Sequence, residues 1–320
     1  MKSILAALVL ATPLALTSCD PYLDDVFGEW SRPTPGNNTP SGGGSDSGTV
    51  LPEGTLAGVF SVDASKKVRF SKGNLQATYD GSAWSWAFAA NQWDYIGDAE
   101  GNNKVWGSTP FVSGYSGTST TVDLFGWVGS SSTWTGVNKY GITTSTATNA
   151  TDGYGNSTTD DLSDWGANIG TGWRTLTGGD AGEWKYLFKT RTTTSGIRYA
   201  KATVNSKSGI ILLPDDWDTS YYSLNSTNTD NAAYTTNNIS TDDWTNKLEA
   251  HGAVFLPAAG YRSGNSMSSV GTEGYYWSST PDGTSANKAY YWCFSSSSLY
   301  NNQVEDRNNG YSVRLVRDVE

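Results

Sequence analysis

The chain has 320 residues, enough for one large domain or two small ones, and carries 21 Lys+Arg against 31 Asp+Glu, a net charge of −10. That balance disfavours nucleic acid or an anionic membrane surface as the main partner, because both are recognised by clustered basic side chains. Only 37% of residues are hydrophobic, yet 14 Trp and 18 Tyr exclude disorder for most of the chain. Two cysteines and one histidine exclude a disulfide-rich scaffold, a Cys/His zinc site and most histidine-based catalysis. The Gly, Ser, Thr and Asn that fill the remainder predict short strands, tight turns and long polar loops.

Residues 1–18 read as a secretory signal, with Lys2 as the basic start and Ile4 to Thr17 as an apolar stretch that Pro13 interrupts. The stretch is too short for a transmembrane helix. It ends in Leu16-Thr17-Ser18-Cys19, which resembles the bacterial lipobox. The resemblance implies that Cys19 becomes the first mature residue and carries acyl chains, so that lipid is the only membrane contact. Asp20, Asp24 and Asp25 follow. They resemble the surface-export signal of Bacteroidetes lipoproteins, and a plain acidic tether is the alternative. The chain to residue 54 is rich in Pro, Gly and Ser, the composition of a linker. The expected organisation is a signal at 1–18, a lipidated tether at 19–54 and one folded domain at 55–320, placed on the outer membrane at the cell surface.

In the folded part, Gly58–Asp63 and Lys67–Ser71 alternate as two short strands, and Trp84, Trp86 and Phe88 mark one face of a third. Residues 107–168 are polar and glycine-rich, with Trp127, Trp134 and Trp165 as pins for long loops. Trp184, Leu187 and Phe188 sit at helical spacing within Ala181–Thr190. Gly209–Pro214 reads as a strand. Ser240–Ala250 reads as a second short helix, with Ser240 or Thr241 as N-cap, acidic residues in its first turn and Gly252 as its stop. Strands are expected at Ala253–Pro257, Tyr275–Ser278, Ala289–Phe294 and Tyr311–Val316, with polar loops between the last three. Few helices and many short strands make this an α+β fold with antiparallel sheet.

Several of these segments resemble one family. Gly172-Trp-Arg-Thr-Leu-Thr177 with Glu183-Trp184, Ile210–Pro214, Phe255-Leu-Pro-Ala-Ala-Gly-Tyr-Arg262, Tyr276-Trp-Ser-Ser279 and Gly310-Tyr-Ser-Val-Arg-Leu-Val-Arg317 are similar to the Fibrobacter succinogenes major paralogous domain. Val68–Gln76 resembles the opening of that domain as it occurs in Bacteroidetes lipoproteins. The resemblance covers roughly residues 56–318 and implies a C-type-lectin-like fold, related to formylglycine-generating enzymes, with a ligand-binding face at its final loops. The cysteine chemistry of those enzymes does not carry over, because the mature domain has only Cys293. The calcium motif of many C-type lectins is not reproduced either, and no cofactor or metal is expected.

His251, at the end of the second helix, reads as a cation complementing the helix dipole rather than a catalytic base. Asp215, Asp216 and Asp218 could hold calcium, but their spacing is not that of an EF-hand loop, and a solvated turn is the preferred reading. Most aromatic rings are assigned to core packing, although flat rings also stack on sugars. The segment 289–311, AYYWCFSSSSLYNNQVEDRNNGY, has almost only Ser, Tyr and Asn at its polar positions. It resembles the variable region of proteins diversified by retroelements, in which Trp292, Gln303 and Glu305 would be fixed framework. An ordinary polar loop is the other reading.

Either way this loop is the expected ligand face, through Tyr291, Cys293, Ser296, Ser298, Tyr300, Asn301, Asn302, Asn308 and Asn309. Strand alternation predicts Trp292 and Phe294 facing in and Tyr291 and Cys293 facing out. Val304, Val313 and Leu315 are expected in the core, with Arg307 and Arg314 as braces through carboxylates or carbonyls. The expected activity is binding of a glycan or protein ligand on another cell or phage surface, as an adhesin or receptor. A surface glycosidase using two carboxylates and a structural pilus-tip subunit are the alternatives.

Overall fold

Segments far apart in sequence pair to build this domain. The computed structural model describes residues 51–99, 101–102, 120–143 and 153–319, all within the unit Pro40–Glu320. The signal, Cys19 and nearly all of the tether lie outside the described residues. In chain order the strands are β1 (Phe60–Ser61), β2 (Lys67–Phe70), β3 (Leu75–Tyr79), β4 (Trp84–Phe88), β5 (Thr121–Val122), β6 (Trp173–Arg174), β7 (Tyr199–Val204) and β8 (Lys207–Leu212). They continue as β9 (Asn238–Ile239), β10 (Val254–Pro257), β11 (Tyr261–Ser263), β12 (Ser266–Ser268), β13 (Glu273–Pro281), β14 (Lys288–Ser295), β15 (Leu299–Asp306) and β16 (Val316–Asp318).

The strands form small sheets ordered β1-β2-β16-β6, β4-β3-β5, β10-β8-β7-β9, β11-β12 and β13-β14-β15. Every pair is antiparallel except β7 with β9. The fold is therefore α+β, as composition and patterning imply. Pairing of β2 with β16, Phe70 opposite Val316, brings the two ends of the domain together.

Both expected helices form, each with a wide turn. The first is α-helical over Glu183–Lys185 and continues as a π turn over Tyr186–Thr190, which buries Trp184, Leu187 and Phe188. Glu183 and Thr177 cap each other reciprocally, at 2.9 and 3.0 Å. The second begins at Ser240, whose hydroxyl accepts from the Asp243 amide, and runs from Thr241 to His251. It stops at Gly252, where φ is +84° and an added Cβ would lie 2.5 Å from the Gly58 backbone. Glycine alone satisfies both conditions.

Aromatic rings supply much of the core. Trp127, Trp165, Trp217, Trp244, Trp277 and Trp292 are all fully buried. The polar region before residue 168 is pinned as its composition implies: Trp127 Nε1 donates to the Ser278 carbonyl and Trp165 Nε1 to the Tyr140 carbonyl, both at 2.8 Å.

Four expectations need correction. Residues 299–306 are a strand, not a loop, because β14 offers a second edge whose partner must satisfy its backbone groups. Residues 311–315 are a buried crossing that touches Phe125 and β13 only through single bridges, so the last strand starts at Val316. Val313 and Leu315 are in the core, whereas Val304 is only half-buried. Asp215 is not solvated: it pairs with buried Arg191 at 2.9 Å and accepts from the Ser61 amide and hydroxyl. Asp216 and Asp218 remain exposed, and no metal-holding cluster occurs among the described residues.

Of the two arginines expected to brace the final loop, Arg307 does so, whereas Arg314 ties other parts of the core together. Arg314 donates to Gln92 Oε1 at 2.7 Å and more distantly to Asn74 and the Phe255 carbonyl. Arg307 pairs with Asp160 at 2.6 Å, with the two side chains 1% and 2% exposed, and its guanidinium lies 4.3 Å from the Trp127 ring centre. Removing one member of such a pair strands a buried charge. Asp160→Ala is therefore expected to lower unfolding free energy by about 3–5 kcal/mol in urea titrations. A loss under about 1 kcal/mol would mean the pair behaves like an exposed one.

Candidate functional site: a tyrosine-lined cleft on the C-terminal sheet

The register of β13 on β14 places Tyr276 opposite Trp292, and Tyr275 opposite Cys293. Opposed residues share a face, and successive residues alternate. One face carries Tyr276, Trp292 and Phe294 into the core, where Trp292 stacks on Phe188 at 4.3 Å and 15°. Gly274 is required there, since an added Cβ would meet the Phe294 ring at 2.3 Å.

The opposite face carries Tyr275, Tyr291 and Cys293. Tyr311 arrives on it through the Phe125 bridge, and Tyr261 through the bridge from Arg262 to Gly310. Ring centres then lie 4.9 Å apart for Tyr261 and Tyr275, 5.1 Å for Tyr275 and Tyr311, and 5.0 Å for Tyr291 and Tyr311. Above these rings opens a cleft of about 400 Å³, lined by Tyr261, Ser263, Tyr275, Tyr291, Glu305, Asp306, Asn308, Asn309 and Tyr311.

The cleft is acidic. Tyr275 donates to Glu273 Oε2 at 2.6 Å, Glu305 accepts from the Asp306 amide at 2.9 Å, and Asp306 accepts from Asn287 at 2.9 Å. Burial, and then the neighbouring Glu273, holds the Tyr275 phenol above its ordinary pKa. Tyr291 and Tyr311 are raised too, by burial first, with Glu305 contributing to both. The phenols thus remain protonated hydrogen-bond donors across the neutral pH range.

The residues named from the sequence divide between two places. Tyr291, Asn308 and Asn309 line the cleft. Ser296 is exposed and Ser298 half-buried in the turn between β14 and β15, where the Ser298 carbonyl accepts from the Lys201 ammonium at 3.2 Å. Tyr300 is 46% exposed beside that turn. Asn301 and Asn302 together oppose Trp292 in a β-bulge, with Asn302 in the left-handed region at φ +61°. Cys293 departs from expectation. It lies on the face opposite Trp292, yet is only 7% exposed, because Tyr275 and Tyr300 flank it across the two strand pairs.

The sequence alone does not single out Tyr261, Ser263, Tyr275, Asp306 and Tyr311 as site residues, and Glu305, expected as framework, lines the cleft. A signal existed: Gly260-Tyr261, Gly274-Tyr275 and Gly310-Tyr311 are three Gly-Tyr dipeptides. The first two glycines bridge each other, the third bridges Arg262, and each such close backbone approach delivers the next tyrosine to the cleft.

Two other places are weaker candidates. A larger cleft of about 670 Å³ is lined by Trp134, Lys139, Tyr140 and Asp164 among others. Its carboxylate is committed to the Gly166 and Thr175 amides. His251 stacks on Tyr221 at 3.7 Å and donates through Nδ1 to the Lys247 carbonyl at the helix end, the dipole-complementing position expected of it.

A family model described as a domain of unknown function (DUF8237) matches residues 213–316, so the chain is similar to that family over every residue of the tyrosine cleft. No curated protein and no solved structure matches the chain.

Burial of Cys293, with Glu273 nearby, pushes its thiol from 9.0 to about 12. The thiolate fraction at pH 8 then falls by about a thousandfold relative to an unfolded cysteine. Maleimide labelling of the native Cys19→Ala chain should be correspondingly slow and become rapid on unfolding. Rapid native labelling at pH 8 would show that the tyrosine cover is open.

Proposed function

We propose that this chain is a surface-anchored lipoprotein whose lectin-like domain binds a ligand through the face built by its C-terminal strands. The observation that carries the reading is the cleft itself: four tyrosines, two asparagines and a serine around a preformed hollow. Tyrosine supplies wide contact at low entropy cost, and Ser and Asn supply adaptable hydrogen bonds. The lectin-like assignment is supported by the α+β content, the pairing of the last strand with the second, and two short helices set among small antiparallel sheets. Anchoring rests on the lipobox at Cys19 and the tether behind it. The ligand is a glycan or a protein displayed by another cell or a phage. Exposure of Ser296 and Tyr300 at the turn supports a face on which sequence change is tolerated, as retroelement diversification requires.

Two measurements test this. Cys19→Ala should move the protein from the membrane to the soluble fraction, and unchanged sedimentation removes the anchor. The soluble full-length variant is then screened on arrays of glycans and of bacterial and phage surface proteins. Adding Ser263→Ala and Asn309→Ala should weaken retention at least tenfold while stability shifts by no more than about 0.5 kcal/mol. Retention indifferent to these changes places binding elsewhere, and release of cleaved glycan makes the protein a glycosidase.

A further inference from the structure

The chemistry of the cleft selects among ligands more narrowly than its shape does. Its floor is a layer of tyrosine rings packed within 5–6 Å of one another, with Tyr275 and Tyr291 half-buried and Tyr311 buried against them. Its rim holds two carboxylates, Glu305 and Asp306, and no Lys, Arg or His lines it among the described residues. Glu273 adds a third carboxylate at the edge through its bond to the Tyr275 hydroxyl.

None of the basic side chains nearby lines the cleft. Lys288 stands 3.5 Å from Glu305 and 3.8 Å from Asp306, one ammonium against the two carboxylates. Arg307 is buried against Asp160. Arg262 lies on the other face of β11 from Tyr261 and Ser263, fully buried against Gly310. Burial first, and then the neighbouring carboxylates Glu273 and Glu305, hold the Tyr275, Tyr291 and Tyr311 phenols above their ordinary pKa.

Aromatic faces and carboxylates attract the same kind of ligand. The negative face of a tyrosine ring draws a cation, and a carboxylate binds it by a charge-assisted hydrogen bond. A neutral sugar would use the rings but leave Glu305 and Asp306 desolvated without gain. An acidic glycan would be repelled.

We infer that the cleft receives the basic side chain of a protein partner, an arginine or lysine laid on the half-buried rings of Tyr275 and Tyr291 with its charge directed to Glu305 and Asp306. Arginine suits the site better, because its planar guanidinium can stack on a ring while forking to a carboxylate. The inference rests on the binding role proposed above and supplies its ligand class.

The test compares two probes on the full-length Cys19→Ala chain: an octapeptide of alternating arginine and serine, and the same peptide with citrulline, which keeps the shape and loses the charge. Binding is followed by calorimetry and by shifts of the cleft tyrosine resonances. The arginine peptide should bind at least tenfold more tightly and weaken as salt rises from 20 to about 300 mM. Glu305→Gln with Asp306→Asn should remove most of that preference. Asp216→Asn with Asp218→Asn, an equal charge change on a distant exposed turn, should alter affinity less than twofold.

Equal binding of the two peptides overturns the inference, as does failure of the arginine peptide to shift the cleft tyrosines. So does an equal effect of the two double variants, which would mark general attraction to an acidic protein. If a neutral glycan is instead retained through Ser263 and Asn309, the cation falls while the binding role stands. If cleft substitutions affect neither probe nor array, both fall.

Discussion

The constraint on which the site depends is that β14 is covered on both faces. On one side Trp292 stacks on Trp184 and Phe188, and Phe294 stacks on Tyr276. On the other, Tyr291 and Cys293 lie under a second aromatic layer formed with Tyr275 and Tyr311. A strand fixed in this way cannot slip, since a shift of one residue would exchange its two faces. The cleft above the tyrosines is consequently a feature of the packed core, and its floor has little freedom to rearrange.

The same constraint explains what the sequence made legible and what it hid. Alternation in Ala289–Phe294 correctly sorts Trp292 from Tyr291, because period two is intrinsic to a strand. It does not tell a strand with one solvated face from a strand buried on both, so Cys293 reads as exposed when it is covered. Ser240 and Gly252 mark the ends of the second helix through local chemistry, hydroxyl capping and left-handed φ, and local chemistry is what a sequence displays directly. Residues 299–306 were hidden for the converse reason: Asn301 and Asn302 are poor strand formers individually, and the open edge of β14 draws them into one. The cleft draws on four separate stretches: the β13–β14 ladder joins Tyr275 to Tyr291, and isolated bridges bring in Tyr261 and Tyr311.

Rigidity at the floor is extended by buried polar ties. The Lys201 ammonium reaches from β7 to the carbonyls of Ser298 and Asp230, holding the β14–β15 turn onto a different sheet. Arg307 ties the other end of β15 to Asp160, and Arg174 clamps Glu183 and Asp318 so that the first helix and the last strand move together. Each tie satisfies a charge that would otherwise be costly to bury, and each joins elements far apart in sequence. The C-terminal sheet is thereby held at both ends by the scaffold behind it.

The polar residues of the last hairpin therefore have two separate physical origins. At the turn, Ser296 and Tyr300 are exposed and Tyr300 is the one large apolar side chain so exposed among the described residues, so replacement there removes little packing. In the cleft, Tyr291 and Asn308 are half-buried or buried, and Tyr291 contacts the rings of Tyr275, Trp277 and Tyr311. Replacement there disturbs the floor and the fold together. A ligand face made of both parts would have a fixed aromatic anchor with an adaptable margin beside it. That arrangement lets contacts at the margin change while the anchoring chemistry persists, because the anchor is the surface of the core itself.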